Sequence, residues 1–146
     1  MERHFDKEIQ EMKELIRRMS EQVSLSLEDA LNGLTKADIS YFKKVYEREV
    51  EVNRQHLLID QTSVELLARR SPLASQLRLM IGIIRINQEL ESIADQIVNV
   101  CRSADNYLQR PPLKPLIDIP RMANEVLSML KQSIDCFMNE DLSGSF

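Results

Sequence analysis

The chain has 146 residues, 43% of them hydrophobic and 29% charged, and a net charge of −4. That acidic balance argues against a face that grips the phosphate backbone of nucleic acid. Aromatics at 5%, three Gly and no Trp leave little from which to build a sheet, while the hydrophobic content suits a soluble globular domain. The stretch from Met1 to Glu8 has no apolar core, so no signal peptide is expected. The longest apolar run, Leu79 to Ile84, lies between Arg78 and Arg85 and is far too short to cross a bilayer.

The first helix is expected from about Asp6 to Asn32. Ile9, Met12, Ile16, Met19, Val23, Leu27, Ala30, Leu31 and Leu34 recur at three- and four-residue steps and form its core face. Gly33 reads as its C-terminal stop. Asp38 is expected to cap a second helix reaching about Arg70, where Arg69-Arg70 favours the negative helix end. On this helix Val45, Val52, Ile59 and Leu66 make one apolar line, and Val50, Leu57 and Val64 make another about 140° away. Between them fall Glu49, Asn53, His56, Asp60 and Ser63. Polar groups in the middle of a buried face are costly unless satisfied. They form either a hydrogen-bond network that fixes register or a polar, metal-binding groove.

A third helix is expected from Ser71 to Tyr107, with Ser71 as N-cap and Pro72 at the first helical position. Leu79, Ile83, Ile86, Leu90, Ile93, Ala94, Ile97 and Cys101 share one stripe. Leu77 and Ile84 flank it, and Glu91, Asp95 and Arg102 continue that flank. Glu91 and Asp95 are four residues apart, where like charges repel on a helix surface. They call for a cation, either a metal ion or a basic side chain. Short connections make these three helices antiparallel neighbours. Gln109 to Pro115 is Pro-rich and cannot be helix. Asp118 and Pro120 open a fourth helix with Met122, Val126, Met129, Leu130, Ser133, Ile134 and Phe137 on its face. Cys101 and Cys136 read as reduced, buried thiols of a cytoplasmic protein rather than a disulfide.

The fourth helix repeats the first. Met19, Val23, Leu27, Leu31, Leu34, Asp38 and Ile39 recur as Met122, Val126, Leu130, Ile134, Phe137, Asp141 and Leu142. A second three-helix unit is therefore expected to begin near Ile119. No catalytic constellation accompanies these helices. A ferritin-like di-iron site needs paired Glu-x-x-His helices, and neither His4 nor His56 follows a Glu by three residues. No Gly-rich phosphate loop is present, and the chain is not expected to be an enzyme.

Pro72-x-Ala74-x-x-Leu77-Arg78-Leu79, followed by Glu89-Leu90-Glu91-Ser92-Ile93-Ala94-Asp95, resembles the PhoU family of phosphate-uptake regulators. Val52-Asn53, Ile59-Asp60 and Leu67-Ala68-Arg69-Arg70-x-Pro72 match the same pattern. Within it Gln76 stands for the usual Asp, Ser92 for Arg, Ala94 for Gly, and His56 where an acidic residue is common. The resemblance implies an all-α fold: a long antiparallel three-helix bundle over residues 1–110, a linker at 111–118, and at 119–146 the first helix of a second, incomplete bundle. It implies a metal at the Glu-x-x-x-Asp motif, Glu91 and Asp95, with iron, zinc, manganese or magnesium as the ion. Glu49, Asn53, His56 and Asp60 are candidates for further ligands. It also implies a cytoplasmic, non-enzymatic negative regulator of the phosphate-starvation response. The partners implied are the phosphate ABC transporter's ATPase subunit and a sensor histidine kinase, with membrane contact only through them. Self-association is expected because the fourth helix presents an apolar face, which must be covered by a second copy or by packing against the first bundle. The alternative is a metal-binding or plain helical interaction module with no phosphate role.

Overall fold

The computed structural model describes residues 2–111 and 115–139. Four helices follow in order, α1 (Glu2–Thr35), α2 (Ser40–Arg70), α3 (Ala74–Leu108) and α4 (Asp118–Asn139), and the described residues contain no strand. Pro112, Leu113 and Lys114 of the linker lie outside the described residues, as do Asp141 and Leu142 of the matched repeat.

Three long helices pack mutually, and α4 lies against α1. The core is the expected set of stripes brought together. Ile9, Met12, Ile16, Met19 and Val23 of α1 meet Val45, Val52, Ile59 and Leu66 of α2 and Met80, Ile83, Leu90, Ala94, Ile97 and Cys101 of α3. Leu27 and Leu79 pack at its margin. The second apolar line of α2 does not join it: Val50, Leu57 and Val64 face outward, so α2 buries one line rather than two.

Two residues expected to mark helix ends act differently, each for a local reason. Gly33 does not stop α1. It sits inside the helix, where an added Cβ would lie 2.8 Å from Phe42 Cδ1 and closer still to Cε1. Gly is there to admit the Phe42 ring. The stop falls at Ala37, left-handed at φ 52°, with the Asp38 N–H donating to the Gly33 carbonyl at 3.0 Å. That bond and that conformation make a Schellman motif without its usual Gly. Asp38 Oδ1 then accepts from the Ser40 N–H at 3.0 Å and the Ser40 hydroxyl at 2.6 Å, turning the chain into α2. Ser71 is likewise left-handed, at φ 43°, and ends α2 rather than capping α3. Leu73 takes the cap position of α3.

Long-range polar contacts fix the order of the helices. Arg69 and Arg70 at the end of α2 both grip Glu8 of α1. The Arg70 contact above all holds the Glu8 carboxyl below the usual carboxylate range. Toward the α1–α2 turn, Arg48 pairs with Asp29 at 2.8 Å. Lys13, buried in α1, donates to the Met138 carbonyl at 3.3 Å and lies 5.3 Å from the Phe137 ring centre. It thus meets the negative end of α4 with a positive charge.

Candidate metal centre between helices α2 and α3

A buried amide sets the register of the site. Asn87 projects from the apolar stripe of α3, and its Nδ2 donates to the main-chain carbonyl of His56 at 3.0 Å. Because α2 and α3 are antiparallel, moving one way along α3 from Asn87 means moving the other way along α2 from His56. One and two turns on, α3 presents Glu91 and Asp95, and one heptad back α2 presents Glu49. One carboxylate oxygen from each of Glu49, Glu91 and Asp95 lies within 4.8 Å of the other two. Glu49 and Glu91 are half-buried and Asp95 is exposed.

Burial and neighbouring charge raise the proton affinity of Glu49 and Glu91. Burial pushes Glu49 up to about 7, assisted by its hydrogen-bond contact with Asp95 and by the charges of Glu91 and Asp95. Burial also raises Glu91, where the adjacent His56 acts in the opposite direction and Asp95 adds to the rise. No Lys or Arg pairs with these carboxylates among the described residues. No described neighbour supplies the basic side chain that would neutralise Glu91 and Asp95. Glu91 Oε2, His56 Nδ1 and Asn87 Oδ1 are buried without hydrogen-bond partners. Such orphan atoms beside excess negative charge fit a divalent cation, whose oxygen-rich shell these side chains can supply.

The further ligand candidates separate in space. Glu49 joins Glu91 and Asp95, and His56 lies beside Glu91. Asn53 and Asp60 are exposed on α2, and Asp60 is outside the carboxylate cluster. Ser63 is buried but satisfied locally, its hydroxyl donating to the Ile59 carbonyl at 2.7 Å. Asn87 escaped notice in the sequence, although it stands one turn before Glu91 on an otherwise apolar stripe. A lone amide at such a position is the available signal.

An all-α fold built on three helices more than 30 residues long, with a carboxylate cluster bridging one seam, defines the class of the protein. The model of the PhoU domain matches residues 16–104, and the chain belongs to that family. It is 29% identical over 139 residues to the phosphate-specific transport system accessory protein PhoU of Edwardsiella tarda, covering 95% of this chain and 57% of that protein. It is 27% identical to a PhoU homolog of Aquifex aeolicus, covering 92% of this chain and 61% of that one. The crystal structure of PhoU from Pseudomonas aeruginosa superimposes with a TM-score of 0.92 at 28% identity, over 97% of this chain and 68% of the other. Coverage that high takes in α4. The chain spans roughly three fifths of the curated relatives' length. No helix of the described residues is long and apolar enough to cross a membrane.

Proposed function

We propose that this chain is a non-enzymatic, cytoplasmic regulator of phosphate uptake and homeostasis that represses the phosphate-starvation response by protein contact. The observation that carries this reading is membership of the PhoU domain family, together with relatives named as accessory proteins of phosphate-specific transport. The partners in this reading are the transporter's ATPase subunit and a sensor histidine kinase. Long packed helices give an adaptor a rigid scaffold, and the carboxylate cluster gives it a surface whose charge an ion can change. Glu49, Glu91 and Asp95 hold that ion, which is iron, zinc, manganese or magnesium, with His56 at the edge of the site. Residues 119–139 belong, in this reading, to the first helix of a second bundle. The test is genetic. Deleting the gene in its host should switch on alkaline phosphatase or another phosphate-starvation reporter in phosphate-rich medium. A silent reporter with unchanged phosphate uptake would defeat the regulatory reading and leave a plain helical interaction module.

A further inference from the structure

The face that carries the carboxylates also carries apolar side chains that the core does not use. Val50, Leu57 and Val64 each follow by one residue the polar line Glu49, His56 and Ser63, so their stripe lies about 100° further round the helix, across Asn53 and Asp60. They are 73%, 57% and 59% exposed. Their heptad spacing is the spacing of a helix-on-helix seam, and they extend for about 21 Å of helix. On α3, Leu77 and Ile81 are exposed too, and Leu77 stands about five full turns before Asp95, on the same side of the helix. Packed on α1, α4 does not cover this face. Three carboxylates without an ion pair therefore sit at one end of an exposed apolar strip.

The charge selects the occupant. A second copy docking by this face about a two-fold axis through the middle of the strip would set each carboxylate cluster against the other copy's apolar end, which supplies no cation. A helix that brings its own cation has no such lack. It would also satisfy Glu91 Oε2, which is buried and accepts no hydrogen bond, since an ammonium carries three N–H donors. We propose that this face seats an amphipathic helix of a partner protein. Its apolar positions pack on Val50, Leu57 and Val64, and its Lys or Arg enters between Glu49, Glu91 and Asp95. The partner's cation and a metal ion then compete for one place, so metal loading weakens docking. This competition rests on the metal reading above; the seat itself does not.

The full chain can be titrated with a fluorescein-labelled model helix of about 18 residues, long enough to span the strip, built from Leu heptads and Lys. A control helix carries Glu at every Lys position. Leu57→Ser/Val64→Ser alters only exposed positions, and Glu49→Gln/Glu91→Gln/Asp95→Asn keeps the shape of the cluster. Both variants should retain wild-type helical circular dichroism and bind the Lys helix about tenfold more weakly by anisotropy. Saturating Mn²⁺ should weaken binding to the wild type but not to the carboxylate variant. Equal binding of the Glu control, or wild-type affinity in either variant, would overturn the seat. Calorimetry with Mn²⁺ alone separates the two readings: heat without competition defeats the shared place, and no heat defeats the metal site while the two variants still judge the seat.

Discussion

Single residues decide two properties of this fold. Glu49 is raised to about 7, first by burial and then by Asp95 and Glu91, from an unfolded value near 4.5. A raised acid favours the native state in its protonated form. The resulting stabilisation is complete below about pH 4.5 and is lost as pH rises through 7. The metal-free protein should therefore melt lower at pH 8 than at pH 5.5, and Glu49→Gln should flatten that slope; a wild-type Tm that stays level or rises over the interval would contradict the assignment. The turn after α1 gives a second pair of outcomes. Ala37 holds a left-handed conformation that costs a non-Gly residue about 1 kcal/mol or more. Ala37→Gly should raise the Tm by a few degrees, while Gly33→Ala should lower stability by about 1–3 kcal/mol through overpacking against Phe42. Denaturant melts that moved both variants the same way would refute this account. The sequence invited the opposite reading, because Gly near a helix end usually marks the stop. Nothing local distinguishes a Gly that ends a helix from one that admits a ring from the next helix.

At the scale of the element, periodicity was legible and pairing was not. The stripes of α1 and α3 emerge buried nearly as written because an apolar arc has one place to go. The two apolar lines of α2 look equivalent in sequence, yet Val45, Val52, Ile59 and Leu66 are buried and Val50, Leu57 and Val64 are not. A three-helix layer offers α2 only two neighbours, and the second line points past both. The same geometry explains the site. Glu91 and Asp95 stood out as like charges one turn apart, but which of Glu49, Asn53, His56 and Asp60 faces them depends on the α2–α3 register. The Asn87–His56 hydrogen bond helps to fix that register. Substituting Asn87→Leu should thus disturb metal binding without removing a ligand. We expect isothermal titration with Mn²⁺ to show about 10–100-fold weaker binding for Asn87→Leu and loss of binding for Glu91→Ala/Asp95→Ala. Metal affinity in the double variant equal to wild type would remove the site.

For the whole molecule, the question is what covers α4. Its Leu130, Ile134 and Phe137 lie on α1, and Lys13 reaches its last turn. Met19 and Val23 of α1 are fully buried, but the matching Met122 and Val126 are 58% and 45% exposed, and Met129 is 65% exposed. A helix whose repeat partner packs against three neighbours here packs against one. Ile119, Met122, Val126 and Met129 follow steps of three, four and three, the spacing of a narrow helix-pairing seam. Beside them, a groove of about 720 Å³ opens between α1 and α4, with Leu25, Leu127 and Ile134 in its walls. Apolar surface of this kind on an isolated chain drives association. The chain as it stands should sediment as a dimer or larger species at micromolar concentration. Met122→Glu/Met129→Glu places charge on exposed positions and should return it to a monomer with unchanged helical circular dichroism. A wild type that stays monomeric at 100 μM would mean that the α1 contact alone satisfies α4. In that case the exposed Met side chains are ordinary surface, and the further length of the relatives is not needed to cover this helix.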